Sequence, residues 1–357
     1  MATVSKSIGS DGRDYSTITA WEADLANASV YTSGDKAQGI CFADSDFVEN
    51  VTISDVSALP TSFELTCANT QRHDGTTGSG VVIKPSSTSS YVINVQESNT
   101  DIVFIEVNGN SSARLGIYHK VSLSNLSVRN CLIHNFGLTS ITSSDVFVTR
   151  NLSSVNYLNN FVFNNTSPAN SDLLVHKTDS VSSNFYNNTY YYNIQGNGTS
   201  GGSGAVGKIF NADANSSSNF KNNIFSRIGT QVFDDLASSS AAIAYNGVET
   251  GLGSPATNET VEAAFADHFV GTSTSDPDLH LKSGTSFIDA GVDLGTSPTG
   301  VNIDIDNADR DSAGSTWDLG ADEFGLVPSE ASSNGEKDRK FNLSFYGVPG
   351  LGSFSIA

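Results

Sequence analysis

The sequence predicts an all-β solenoid, a parallel β-helix with a short helical cap at its start and an extended arm at its end. Three observations predict it. Ser, Thr and Asn make up roughly a third of the 357 residues while only 16% are charged, a composition from which helical bundles are not built. From about residue 80 to 250, short apolar alternations such as Val81-Val82-Ile83, Leu126-Ser127-Val128 and Phe161-Val162-Phe163 recur between Ser/Asn/Gly clusters, the texture of strands three to six residues long. Ser182-Ser183-Asn184-Phe185-Tyr186-Asn187-Asn188 returns 35 residues later as Ser217-Ser218-Asn219-Phe220-Lys221-Asn222-Asn223, with six of seven positions identical.

Residues 1–80 read as cap and first coils. Ile18, Trp21 and Leu25 fall at helical spacing within Tyr15–Ala26, and Ser16 or Thr17 stands where an N-cap belongs. Gly9-Ser10-Asp11-Gly12 before it reads as a tight turn, and Val51-Thr52-Ile53 and Phe63-Glu64-Leu65 after it as strands. A helix in that place can plug an open sheet edge. Residues 81–326 form the body and closing coils. Phe163-Asn164-Asn165, lying 22 to 23 residues before the Ser182 copy, and the pair Val128-Arg129-Asn130 and Thr149-Arg150-Asn151, 21 apart, suggest a coil of 20 to 23 residues. Stacking such coils buries their inward side chains in columns, and an Asn recurring at one bend can build an amide ladder. Seven or eight coils would rise ~4.8 Å each, giving a rod somewhat under 40 Å long. Gln195–Gly204 reads as a lateral loop inserted between coils, solvated or partner-binding, that accounts for the 35-residue offset.

Composition excludes several classes. Lys and Arg number 18 against 38 Asp and Glu, so a net charge of −20 repels phosphate backbones and anionic lipid, and neither nucleic acid nor membrane is an expected partner. Cys41, Cys67 and Cys131 include no CxxC pair and form neither a disulfide framework nor a zinc site, although Cys41 and Cys67 could pair. The N-terminus lacks a signal-peptide layout, and no stretch approaches the ~20 apolar residues of a membrane span. Synthesis in a host cytoplasm is therefore expected.

The C-terminal third carries Asp276-Pro277-Asp278-Leu279-His280-Leu281-Lys282-Ser283-Gly284-Thr285-Ser286-Phe287-Ile288-Asp289-Ala290-Gly291, then Asp304-Ile305-Asp306-Asn307-Ala308-Asp309-Arg310, then Trp317-Asp318-Leu319-Gly320-Ala321-Asp322-Glu323-Phe324. In order and wording this resembles the closing segment of right-handed parallel β-helix proteins of bacteria and their viruses. The opening Ser7–Glu22 looks like the start of β-helix proteins common in marine phage genomes. The middle is matched by texture alone. Asn307 stands where the family has Gly, and Asn also tolerates a left-handed turn. The resemblance implies a right-handed fold and a phage setting, not an activity, because the fold serves lyases, hydrolases, tailspikes, adhesins and inert rods alike.

Candidate sites follow from residue types. Asp304, Asp306 and Asp309 are weak metal candidates, since Ala308 and the lack of a following Gly break the EF-hand spacing, and Arg310 is expected to pair with Asp304 or Asp306 in a terminal turn. Asp289, Asp318, Asp322 and Glu323 are expected to close the last coils by accepting backbone N–H bonds. A hydrolase would need two or three carboxylates on one strand face, one an acid and one a base or nucleophile; a lyase would need carboxylates for calcium plus an Arg or Lys base. The body acids Asp101, Glu106, Asp145, Asp172, Asp179 and Asp213 are sparse, no two at a shared coil position, and His119, His134 and His176 read as isolated. No catalytic residue and no cofactor is assigned.

The polar stretch Val327–Lys340 reads as a linker, and residues 327–357 as linker plus arm. Phe341, Phe345, Tyr346, Leu351 and Phe354 lie on a Gly-rich segment too short to bury itself, which either folds back on the rod or docks on a partner. The expected function is a non-enzymatic phage virion protein, a capsid decoration or tail-associated fibre or spike, localised on the virion and attached to other capsid or tail proteins through that arm. A homotrimer and a host-surface glycan partner are compatible with it. The alternatives are a tailspike-like glycan depolymerase and a surface adhesin; paired carboxylates in a lateral groove would mark the enzyme.

Overall fold

The computed structural model describes residues 2–326 apart from 55–58, 88, 120–124, 137–144, 151–153, 168–174, 179–181, 192, 196–209, 213–216, 227–239, 250–259, 263–264, 274 and 315. The arm residues Phe341, Phe345, Tyr346, Leu351 and Phe354, and nearly all of the 195–204 loop, lie outside the described residues. Three parallel sheets wrap one core. The first holds nine strands, in spatial order Thr3–Ile8, Asp35–Cys41, Pro60–Cys67, Thr100–Val103, Leu126–Arg129, Ser154–Leu158, Ser182–Tyr186, Ser217–Lys221 and Ser240–Ala244. A second sheet of nine and a third of six take the next strands of each coil, so that Pro60–Cys67 leads to Val82–Lys84 and Ser89–Val95, and Thr100–Val103 to Glu106–Asn108 and Ala113–His119. Every pairing within these sheets is parallel, for instance Leu126↔Val155 and Leu132↔Phe161. Parallel strands joined in succession around one core, with the right-handed crossover that such connections take, make this a right-handed parallel β-helix. Nine strands at ~4.8 Å spacing give a first sheet about 40 Å long. Among the described residues no helix is long and apolar enough to cross a membrane.

Alternation puts one face of each first-sheet strand inside. Asp35–Cys41 alternates buried and half-buried positions throughout, and inward residues stack on the same position of the next coil: Ile102, Val128, Tyr157, Phe185 and Phe220 are successive register partners. Phe185 and Phe220 stack face to face at 4.5 Å, and Tyr190 and Phe225 at 5.0 Å. The 35-residue repeat is thus two coils in register, Ser182↔Ser217 through Tyr186↔Lys221. Cys41 and Cys67 are register partners in the core, yet both are free thiols, and burial raises both thiol pKa values, Cys67 to about 12. No disulfide joins them.

The N-terminal plug forms as its capping residues dictate. Thr17 accepts the Ala20 N–H and the helix runs Ile18–Ala23, with Ile18 and Trp21 buried. Trp21 Nε1 donates to Tyr31 Oη at 3.0 Å. The ring lies so close over the first full coil that a Cβ on Gly39 would come within 3.1 Å of it.

Bends carry asparagine ladders. Asn160, Asn188, Asn223 and Asn246 are fully buried. Asn188 Oδ1 accepts both the backbone N–H and the side-chain amide of Asn160 at 3.0 and 2.9 Å, Asn223 does the same for Asn188, and Asn246 for Asn223. Each amide also donates inward to a backbone carbonyl, as Asn188 does to Tyr157 O at 2.8 Å. The steps of this ladder are 28, 35 and 23 residues. Two of these steps exceed the 20–23 residues expected and one meets it, and the stretch from 80 to 250 supplies six first-sheet strands rather than seven or eight coils. Two of the echoes behind the short period are false. Phe163 belongs to the second sheet and pairs with Tyr191, and Arg150 belongs to the third sheet while Arg129 belongs to the first. Bends between consecutive sheets share the Asn-Asn chemistry, so neighbouring bends of one coil mimic successive coils.

The closing segment 268–326 lies against the flank of the rod. Asn159, Asn187 and Asn222, each one residue before a ladder asparagine, and Asn130, before Cys131 whose N–H the ladder accepts, take φ of 54–56° and point outward. They donate to its carbonyls: Asn130 to Ile303 at 2.8 Å, Asn159 to Gly300 at 2.9 Å, Asn187 to Val301 at 2.9 Å and Asn222 to Val292 at 2.8 Å. Second-sheet strands such as Phe161–Phe163 are buried on both faces, because Leu132, Phe161, Tyr191 and Ile224 pack outward against Phe269, Leu279, Phe287 and Leu319. Asn307 takes φ 68°, the turn a Gly would make. Asp318, Asp322 and Glu323 accept the backbone N–H groups of Asp289, Leu281 and Asp318, while Asp289 accepts the Thr316 hydroxyl. Arg310 does not hydrogen-bond to Asp304 or Asp306: fully buried, its guanidinium is turned to the end of the closing segment, where it donates to Glu323 Oε2 at 2.7 Å and Gly320 O at 2.9 Å, while Asp304 Oδ1 accepts the N–H groups of Asp306 and Ala308.

Asn188→Ala leaves several buried donors and acceptors unpaired and is expected to cost about 3 kcal/mol or more, whereas Asn219→Ala, on the half-buried outward ladder with Asn184, should cost under about 1 kcal/mol. Urea unfolding of both variants checks this; equal costs would contradict the ladder's role.

Candidate functional site

The outward face of the first sheet is polar where the core face is not. Ser5, Gln38, Glu64, Asp101, Ser127, Asn156, Asn184 and Asn219 occupy one register column across eight strands. Glu64 and Asp101 are direct partners on neighbouring strands. The expectation that no two of the body acids share a coil position did not take in Glu64, with which Asp101 does share one. Its partner lies before residue 80, and a 20–23-residue period does not align the two.

Around this pair the column opens into a groove of about 290 Å³ lined by Lys36, Ser62, Asn99, Asp101, Asn125, Arg129 and Asn156, with Thr299 of the closing segment at its rim. Lys36 Nζ lies 2.6 Å from Glu64 Oε2, Gln38 Nε2 donates to Glu64 Oε1 at 2.5 Å, and Ser5 Oγ donates to Gln38 Oε1 at 2.6 Å. Arg129 passes beneath Gly300, where an added Cβ would meet its Cδ at 2.9 Å, so a glycine at φ 85° lets the closing segment cross the guanidinium stem. Asn99 and Asn125, at φ of 56° and 58°, extend the polar wall, the amide of Asn125 donating to Asn99 at 2.9 Å.

The two carboxyls are driven apart. Burial pushes Glu64 upward, but the hydrogen bonds from Lys36 and Gln38 and the charges of Lys36 and Arg129 outweigh it and hold Glu64 below the usual range. Burial pushes Asp101 upward as well; Arg129 and Lys36 pull against it without cancelling it, and the Glu64 charge adds to the rise. Two neighbouring carboxyls whose pKa values are pushed in opposite directions, on strands ~4.8 Å apart, can divide the roles of donor and acceptor. With Arg129 and the asparagine amides it can hold sugar hydroxyls or a carboxylate, protonate a leaving oxygen, or both.

No family model and no curated protein sequence matches the chain. Among solved structures, the pectin methylesterase of Aspergillus niger, in a partly deglycosylated form, is similar over 81% of this chain and 92% of its own, with 13% identity and a TM-score of 0.32. A likeness that loose does not transfer the esterase's chemistry.

The other candidates fall elsewhere. Glu106 and His134, both buried, share a hydrogen bond of 2.9 Å, so neither is isolated; Glu106 also accepts the Gly78 N–H at 2.6 Å, and the His134 ring stacks on Phe163 at 4.7 Å. His119 is buried on the third sheet. Asp172, Asp179 and Asp213 lie outside the described residues. Asp304 is buried in its turn, where desolvation pushes its carboxyl up to about 8; Asp309 caps the 3₁₀ turn Arg310–Ser312; and Asp306 stands beside His280. Sequence reasoning missed Lys36, Glu64 and Arg129. The alternation Lys36-Ala37-Gln38 and Phe63-Glu64-Leu65 was their only signal, and it becomes a site only once the coils are registered.

Asp101 and Glu64 should respond oppositely to neutralisation. Folding raises the pKa of Asp101, so its ionisation costs stability above the unfolded value of 3.8, and Asp101→Asn should raise the melting temperature at pH 7 by an amount that vanishes as the pH falls to 3.8. Folding lowers that of Glu64, whose contribution is present above 4.5 and lost as pH falls, so Glu64→Gln should lower the melting temperature at pH 7. Melts at pH 7 and pH 4 decide; shifts of the same sign at pH 7 contradict the assignment.

Proposed function

We propose that this protein is an exposed phage virion protein, a rigid rod on capsid or tail, and that its lateral groove engages a glycan of the host surface. The observation that carries the glycan reading is the gathering of Lys36, Asp101 and Arg129 in one outward groove with Asn99, Asn125 and Asn156, beside Glu64, which pairs with Asp101 across the strands and is held by Lys36. Planar amides, a guanidinium and a carboxyl pair on a flat strand face suit the closely spaced hydroxyls of a sugar chain, which can lie along the rod across several coils. The virion setting rests on the resemblance of the closing and opening segments, and attachment through Phe341, Phe345, Tyr346, Leu351 and Phe354 completes that reading.

The opposite shifts of the two neighbouring carboxyls, Asp101 raised by burial and Glu64 lowered by Lys36 and Gln38, favour a second reading, in which the groove also cleaves what it binds. Asp101 would act as general acid and Glu64 as base or nucleophile, with Lys36 stabilising the ionised carboxylate.

Full-length protein on an array of bacterial surface polysaccharides is expected to retain a subset, and Arg129→Ala to weaken that binding at least tenfold. If cleavage occurs, Asp101→Asn should slow it by about 10²-fold or more while leaving binding within a few-fold. Retention unaffected by Arg129→Ala would remove the groove from the account.

A further inference from the structure

A second constellation lies in the closing segment, apart from the groove. Among the described residues, His280, Asp306 and Asp322 bring one ligand atom each within 4.8 Å of one another. They come from three separate stretches: the strand Asp278–Leu281, the turn after Asp304, and the chain end that crosses Arg310. The imidazole is aimed. Its Nδ1 is 2.6 Å from Asp278 Oδ1, which leaves Nε2 facing Asp306 at 3.3 Å from both of its oxygens. A carboxylate on one ring nitrogen that orients the other is the arrangement that fixes a histidine ligand. Asp322 is fixed too, one oxygen accepting the Leu281 N–H at 2.7 Å.

The surroundings of the triad are tight. Gly75, at φ 81°, packs so closely on the ring edge that a Cβ there would stand 2.3 Å from Cε1 and 2.5 Å from Nε2 of His280, so the backbone holds the imidazole in place. Asp304, 1% exposed, has Oδ2 without a hydrogen-bond partner and lies near enough to Asp306 and Asp322 to feel both charges.

We propose that His280 Nε2, Asp306 and Asp322 bind a divalent transition-metal ion, Zn²⁺ by its ligand set, which ties the closing segment together. One imidazole and two carboxylates make three protein ligands and leave a position for water, whereas calcium and magnesium sites are built from oxygen alone. The competing arrangement is a protonated His280 bridging Asp278 and Asp306 with no metal. Binding requires the neutral imidazole, so the two states exclude each other.

The test uses the full chain stripped with EDTA and titrated with Zn²⁺ alone, read by calorimetry and by thermal melts. One equivalent should bind saturably and raise the melting temperature, Ca²⁺ should not substitute, and Asp306→Asn should weaken Zn²⁺ binding at least tenfold. Should that variant fail to fold, Co²⁺ added to the unmutated chain gives a second readout, and visible absorption bands of a nitrogen- and oxygen-ligated site should appear with one equivalent. No saturable binding to the folded chain, equal binding by Asp306→Asn, or a Co²⁺ spectrum like that of the free aquo ion would overturn the proposal.

Discussion

A buried asparagine has two amide hydrogens and one carbonyl oxygen to satisfy, and inside a stacked coil only the neighbouring coils and the local backbone can do it. Asn160, Asn188, Asn223 and Asn246 meet this demand by passing the same hydrogen bonds upward, the oxygens of Asn188, Asn223 and Asn246 each receiving a backbone and a side-chain N–H from the coil before and that of Asn160 the Cys131 N–H. Slipping one coil by a residue would orphan several buried groups at once, at about 1–3 kcal/mol each. The ladder thereby fixes register at one corner, and the strands leaving that corner inherit it. Coil length is free to vary from 23 to 35 residues between these fixed points, since the surplus leaves the rod as loops.

Before three of the ladder positions, and before Cys131 just below it, a further asparagine turns this constraint outward. Its positive φ swings the amides of Asn130, Asn159, Asn187 and Asn222 away from the core, where they hold the carbonyls of the closing segment. That segment covers the apolar outer face of the second sheet and, at Gly300, passes over Arg129 beside the groove. Covering, closing and groove-shaping are consequences of one pair of neighbouring asparagines repeated up the rod. The same packing collects the acids that surround His280.

The fold class was legible because it depends on composition and on strand-length alternation, both local. The cap was legible for the same reason: Thr17, Ile18 and Trp21 are within five residues of one another. The Ser182 and Ser217 copies were legible because two consecutive coils kept nearly the same residues. Coil length was not, since the Asn-Asn bends at 159–160 and 164–165 belong to one coil and look like two. The groove was lost with it. Glu64 and Asp101 become neighbours only when a 37-residue coil is wound correctly, and Arg129 acquires its setting from Gly300, over 170 residues away. Arg310 was placed on the wrong acid because sequence proximity favoured Asp304, whereas the fold turns the guanidinium to Glu323 and Gly320, 10 to 13 residues further on.

A rod whose core face is stacked aromatics and whose first-sheet face is a graded polar column presents one long, flat, repetitive surface, the shape complement of a polymer. The groove marks where that surface concentrates charge and shape. Hydrogen exchange followed by mass spectrometry on the full chain, with and without a polysaccharide that it retains, tests this most directly. The account predicts added protection in the peptides that contain Pro60–Cys67, Thr100–Val103 and Leu126–Arg129, and none in the second-sheet strands beneath the closing segment. Protection confined to residues 327–357, or to the second sheet, would contradict it.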